Sequence, residues 1–368
     1  MRPVWAEVDL NAIDHNIKEI KKGLGSNVKI CAIVKADAYG HGAVKCAEVA
    51  IKAGADLLAI AILDEAIELR ENGIKEPVLA LGYIPKEEYS LAIKNDITLT
   101  IYSQETVISL SQVALKENKR VKVHIKIDTG MGRLGVPVEE AGRLAKFIST
   151  LEGIELEGVF SHFASADELD SSYTFEQLKR FKKAIKDIEN EGINIPIKHI
   201  ANSAAAVRFP ETHLNMVRLG IVIYGLWPSK EIEHNYDLKP AMKLKAKIAY
   251  LKDVSKGMSI SYGRTYVTEK NAKIATLPLG YADGFTRRLS GKTSAIINGE
   301  LAPLIGRICM DQCMADVSLI DDVKIGDTVI LFGDKKLTVD ELAAKVDTIN
   351  YELICMIGKR VPRVYLHN

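Results

Sequence analysis

Between residues 28 and 220 the chain repeats one pattern: a short apolar, β-branched run, then a longer segment with apolar residues at helical spacing. The runs fall at 28–35, 56–61, 77–82, 98–102, 121–128, 155–162, 197–202 and 215–220, and helical segments include 43–53, 63–72, 103–117, 138–151 and 174–191. Gly54, Gly73, Pro137, Gly153 and Gly192 stand at junctions, where helices have to stop and strands begin. A strand followed by a helix returns to the sheet in the same direction, so the pattern predicts a parallel sheet with crossover connections. Eight runs is also the number that closes a (β/α) barrel. An open doubly wound sheet is the alternative, weakened in its dinucleotide-binding form because no G-x-G-x-x-G follows the first run.

After about residue 238 the rhythm changes to short strand-like runs at 242–254, 272–278, 293–297, 301–305, 314–318 and 328–332, with a hairpin signal at Asn298-Gly299. The expected fold class is therefore α/β: an eight-stranded parallel TIM-type barrel over 11–237, then a separate mainly-β domain over 238–368. The strand-like segment 4–9 precedes the barrel, and residues 1–10 are expected to pack on the second domain.

Composition excludes several classes of function. Lys plus Arg total 49 against 48 for Asp plus Glu, so the net charge of +1 gives no overall field for nucleic acid or an anionic membrane. The longest apolar runs, 57–63 and 219–227, are far short of the roughly 20 residues that span a bilayer. Glu7 and Asp9 interrupt the stretch a signal peptide would need. The five cysteines are odd in number and have no C-x-x-C spacing, which reads as a reduced, cytoplasmic protein. Cys309 and Cys313 have no further ligands nearby, so no metal is expected.

Chemistry-bearing residues gather at the strand ends. The first run ends at Lys35, and a lysine at the carboxyl end of an apolar strand is costly unless it is solvated or used. In a barrel that end is the active-site face, where a desolvated amine is a nucleophile able to form a Schiff base. A lysine merely reaching out to solvent is the plain alternative. Lys126 and Arg133 belong to the fifth run and its loop, His162 ends the sixth, Ser203 follows the seventh, and Arg218, Gly220 and Ile221 lie on or after the eighth. Ser203 and the amides after Gly220 follow strands seven and eight, where barrels often hold phosphate. Lysine and phosphate cradle together suggest pyridoxal 5'-phosphate.

The stretches VKADAYGHG (34–42), DTGMGRLG (128–135), ANSAA (201–205), VRLGI (217–221), SYGRTY (261–266), LGYADGF (279–285), GRICMDQ (306–312) and RVPR (360–363) resemble, in this order, the signatures of alanine racemases. The resemblance covers nearly the whole chain and implies a pyridoxal-phosphate barrel, a C-terminal β domain, and a homodimer in which each site is completed by the partner's β domain. It implies that Lys35 holds the cofactor as an aldimine and acts as base on one face of the substrate. Tyr262, from the opposite subunit, would be the base on the other face. Tyr39, His162, Ser203, Arg218, Gly220, Ile221 and Tyr351 would bind cofactor, and Arg133 and Met310 the substrate. Lys126 aligns with a lysine carbamylated in some members, and Asp167, Tyr281, Arg287, Arg307 and Ile349 with a substrate corridor. The implied activity interconverts L- and D-alanine, supplying D-alanine for peptidoglycan. Arg264 has no assigned role. A racemase of serine or another small amino acid, and a decarboxylase of the same architecture, are the alternatives. Tyr262 speaks against the latter, because decarboxylation needs no second stereochemical base.

Overall fold

Eight short parallel strands carry the first part of the chain: Lys29–Ile33, Leu57–Ile60, Val78–Ala80, Ile97–Ile101, Val121–Asp128, Ile154–Phe160, Ile197–His199 and Met216–Leu219. Each pairs in parallel with the next through the seventh, and the eighth pairs with the first. Between the seventh and eighth the Arg218 N–H donates to the Ala201 carbonyl at 3.0 Å, so the sheet is a nearly closed barrel and not an open doubly wound sheet. Helices Ala43–Lys52, Leu63–Glu71, Gln104–Lys116, Ala141–Ser149 and Ser172–Asn190 occupy the crossovers. Strand ends are trimmed relative to the apolar runs where the chain leaves the ladder for other work. The run 197–202 keeps only Ile197–His199, because Asn202 instead caps helix Ser203–Arg208 by accepting from Ala205 N at 3.0 Å.

The computed structural model describes residues 3–367. Two units emerge from its contacts: one holds Ala12–Ala38 and Ala43–Lys239, the other Tyr39–Gly42 with the described residues up to Asn11 and from Pro240 onward. In the second unit nine strands form one sheet in the order Tyr250–Val254, Ala272–Leu277, Cys313–Asp316, Glu300–Ile305, Ser294–Ile297, Thr328–Phe332, Met242–Lys247, Val4–Asp9, Arg363–Leu366. Val4–Asp9 lies between Met242–Lys247, antiparallel, and Arg363–Leu366, parallel. The run 242–254 is two strands at distant places in the sheet. Met242–Lys247 alternates buried with half-buried or exposed residues, whereas Tyr250–Val254 pairs only on one side and stays largely exposed. Asn298 and Gly299 both take positive φ and close the hairpin between Ser294–Ile297 and Glu300–Ile305, as the dipeptide predicts.

Candidate active site

The carboxyl ends of strands five to eight meet around Arg218, only 3% exposed. One terminal nitrogen, Nη2, faces the carbonyls of Ser161 (2.8 Å) and Ile200 (3.0 Å) and His162 Nδ1 (3.0 Å); the other, Nη1, donates to His199 Nδ1 (2.9 Å). A guanidinium carries five donors and no acceptor. Both histidine Nδ1 atoms must therefore accept, which puts the single proton of each neutral ring on Nε2. The Nε–H of Arg218 and its second Nη1–H meet no protein acceptor among the described residues. Burial lowers the Arg218 pKa to about 10, which leaves it a cation at neutral pH. Burial, then the neighbouring charges of Arg218, Lys126, Arg133 and Lys35, hold His162 well below the ordinary imidazole range, so this histidine is neutral.

Lys35 opens a turn that the sequence did not foretell. From Ala36 to Tyr39 the φ angles are +52°, +52°, +53° and +52°, and Gly40 follows at +81°: one turn of left-handed helix. Such backbone costs L-residues roughly 1–2 kcal/mol each and is seldom found in runs. Around Lys35–Ala38 the turn is held by Glu65, whose carboxylate accepts from Ala36 N (2.5 Å) and from Ala61 N (2.8 Å), tying the end of strand one to the end of strand two. Asp37 Oδ1 accepts from Ala43 N at 2.8 Å. Glu65 is a site residue that sequence reasoning missed. Its one local signal is its place in the first turn of helix Leu63–Glu71, where it reads as an ordinary capping carboxylate.

Strand five supplies Lys126 and, through the next loop, Arg133. Asp128 accepts from Gly130 N (2.9 Å) and Gly132 N (3.1 Å), folding the loop back on itself. Gly135 has φ +133° and passes so close to strand five that a Cβ there would lie 2.4 Å from Asp128 N. Lys126 is buried, and no carboxylate lies within ion-pair distance of it among the described residues; the Phe160 ring is 4.5 Å from its ammonium. Burial first, then the cations Arg218 and Arg133, push its pKa well below the usual lysine value. Ser203 Oγ accepts from Gly220 N at 2.8 Å and so joins the ends of strands seven and eight beside Ile221. Lys35, Lys126, Arg133, His162, Ser203, Arg218, Gly220 and Ile221 thus belong to one unit, as does Asp167.

The remaining site residues belong to the β-rich unit. Tyr39 and Tyr351 face each other with ring centroids 6.0 Å apart. Arg363, last residue of the RVPR stretch, donates to the carbonyls of Gly40, Ile357, Gly358 and Val361 and staples segment 39–42 to the chain's end. Tyr262 stands on a tight turn in which Ser261, Gly263 and Arg264 all have positive φ, and is 68% exposed. The Arg264 N–H donates to the Ser261 carbonyl and so helps to shape this turn. The same unit holds Tyr281, Arg287, Arg307, Met310 and Ile349. Ser261 Oγ donates to the Arg307 carbonyl at 2.6 Å, and the N–H groups of Tyr281 and Ala282 donate to the carbonyls of Cys309 and Met310 at 3.0 Å each. Tyr262, Tyr281 and Met310 are consequently neighbours on an exposed, partly apolar surface.

Two family models match the chain: the N-terminal domain of alanine racemase over residues 8–228 and its C-terminal domain over 241–365. An alanine racemase of Desulfovibrio desulfuricans is 51% identical over 365 residues, covering 99% of this chain and 98% of its own; one of Methanococcus maripaludis is 50% identical, covering 99% of each. Among solved structures, alanine racemase of Clostridium difficile superposes with a TM-score of 0.97 at 46% identity over 100% of this chain and 96% of its own. That of Bacillus anthracis, solved with bound L-Ala-P, superposes with a TM-score of 0.94 at 41% identity and the same coverage.

Proposed function

The chain belongs to the alanine racemase family and interconverts L- and D-alanine, and we propose that Lys35 and Tyr262 are the two bases that do so. The observation that carries the assignment is the buried Arg218, with two N–H groups left over at the strand end where Lys35 also emerges. A planar ring with an acceptor nitrogen fits those donors, and an aldehyde on that ring fits a lysine amine. Pyridoxal 5'-phosphate has both, with its phosphate assigned to Ser203, Gly220 and Ile221. When bound, this group supplies an electron-withdrawing ring that acidifies the α-hydrogen of the attached amino acid.

The protein's own part is proton traffic and orientation. Lys35 exchanges a proton at one face of the α-carbon, and the partner subunit's Tyr262 exchanges one at the other, so a flattened carbon can be reprotonated in either hand. An unperturbed phenol, with pKa about 10, is a weak base at neutral pH. The Nε2–H that Arg218 forces on His162 is a donor suited to holding a phenolate. Arg218, itself unable to give up a proton at neutral pH, disfavours a second positive charge on the ring nitrogen. That limits the electron withdrawal that side reactions such as decarboxylation exploit, and Arg218→Glu should release carbon dioxide measurably where the native protein does not. Arg133 and Met310 orient the substrate carboxylate. A neutral Lys126 amine can attack carbon dioxide, losing a proton to solvent, and the resulting carbamate would face Arg133. Its burial and lack of a carboxylate partner support that modification.

The exposed Tyr262, Tyr281 and Met310 support a homodimer with shared sites, since large apolar and aromatic side chains grouped on a surface mark protein contacts. No helix among the described residues is long and apolar enough to cross a membrane. The deciding experiment is incubation with L-alanine in deuterated water. Deuterium should enter the α-position as optical rotation falls to zero. Exchange without inversion would sink the two-base reading.

A further inference from the structure

The hydrogen bonds around Arg218 do not stop at His199. His199 Nε2 lies 2.9 Å from His124 Nδ1, and His124 Nε2 lies 3.3 Å from Glu157 Oε2. Strands five and seven are not neighbours in the sheet, so the histidine pair bridges the barrel interior, and both rings are fully buried. Each link has one possible direction. Arg218 must donate to His199 Nδ1, so His199 carries its proton on Nε2 and donates to His124 Nδ1; His124 then carries its proton on Nε2 and donates to the carboxylate. With the opposite tautomer of His199, two N–H groups would confront each other at 2.9 Å, and Arg218 could not keep its place.

The backbone is shaped to admit this chain. Strand six runs in register with strand five as Val123↔Leu156 and then His124↔Gly158, so Glu157 is the extra residue of a bulge. A bulge re-aims one side chain at the expense of the local ladder. Gly158 leaves room for the ring, because a Cβ there would lie 2.5 Å from His124. Phe160 stacks on His199 with ring planes 5° apart and centroids 4.8 Å apart, fixing the second ring. Lys122 Nζ, 2.6 Å from Glu157 Oε1, secures the carboxylate from the solvent side.

We propose that Glu157 and His124 are positioning residues, the acceptor end of a one-directional hydrogen-bond chain that sets the proton of His199 and thereby aims the two uncommitted N–H groups of Arg218. Their effect on the reaction rests on Arg218 being the partner of the cofactor ring nitrogen; the chain itself does not. The test labels histidine with nitrogen-15 in the holoenzyme. His124 and His199 should both show the Nε2–H tautomer. In Glu157→Gln the His124 signals should move, and so should those of His199, which Glu157 does not touch; a merely local role would leave His199 still. Glu157→Leu should lower kcat about tenfold, the order expected when one buried hydrogen bond is lost, with KM for alanine changed less than about twofold. Glu157→Gln, which keeps an acceptor, should recover most of that loss. An Nδ1–H tautomer at His199, no propagated shift in Glu157→Gln, or an unchanged kcat in Glu157→Leu would each overturn the proposal. Failure of the underlying reading looks different: Arg218→Leu would racemise normally while His124 kept its tautomer.

Discussion

Two regions carry the proposed reacting groups, and they are built in opposite ways. In the barrel, Arg218 is fixed by protein acceptors on strands six and seven and the adjoining chain, and lies almost wholly out of solvent. In the β-rich unit, Tyr262 projects from a turn of left-handed residues, with no side-chain hydrogen bond among the described residues and two-thirds of its surface exposed. The barrel end is organised by hydrogen bonds from its own chain, and preorganised dipoles are worth most in such a setting. The tyrosine is carried by a tight turn and stays largely exposed. This contrast supports the proposed site shared between subunits.

The sharpest way to break that contrast is to delete each half in turn. Lys35→Ala should lose racemisation by more than about 10⁴-fold, because it removes the residue proposed as both covalent anchor and base. Tyr262→Phe should lose about 10²–10⁴-fold with the visible cofactor absorbance intact. Mixing the two inactive variants after dissociation tests the sharing directly. In a mixed dimer one site receives both intact residues, so random pairing should restore about a quarter of native activity. No recovery would put lysine and tyrosine of each site on the same chain.

A smaller effect probes how rigid the barrel half is. Gly135→Ala should lower the melting temperature by several degrees, since its Cβ would clash with strand-five backbone and its φ is +133°. Gly132→Ala, with φ +69° and open space beyond it, should cost about 1 kcal/mol or less. Equal losses would mean that the loop adapts and does not hold Arg133 in place.

Smallest, and spread over pH, is the linkage to the buried rings. His124 and His199 are held low, first by burial, so the unfolded chain binds protons that the folded one does not. Their stabilisation is complete above about pH 6.5 and declines as pH falls below it, each ring steepening the slope by up to about 1.4 kcal/mol per pH unit. Glu157 adds a lower window. Burial would raise its carboxyl, but hydrogen bonds from His124 and Lys122 outweigh that and bring it to about 2. Its contribution is therefore present above about pH 4.5 and lost between there and 2. Urea midpoints measured from pH 7.5 to 5 should fall, and His124→Leu should flatten the curve.

Much of this was readable in the chain. The eight barrel runs coincide with the eight strands to within a few residues, because a strand buried on both faces must be written in apolar residues. Lys35 stood out as a charge ending such a strand, and Arg218 as a charge written into the eighth. What stayed hidden depends on pairs far apart in sequence. His124 and His199 are 75 residues apart, and nothing local says that one donates to the other. Glu157 carries no local signal, since a bulge leaves no periodic mark. Glu65 reads as a cap although it also binds the backbone beside Lys35. The placement of 39–42 with the β-rich unit was equally silent, because it follows from Arg363 reaching Gly40 across 323 residues.

The left-handed turn after Lys35 has a consequence for engineering. Its four consecutive L-residues occupy backbone that glycine would adopt freely, so Ala36 and Ala38 are places where added conformational freedom comes with relief of strain. A thermostability screen would be drawn to such positions. The same substitution would loosen the stretch of chain on which Lys35, the proposed base, is mounted. If Lys35 is the base, selection for hardiness and selection for turnover should pull this turn in opposite directions, and libraries scored on melting temperature alone would miss it.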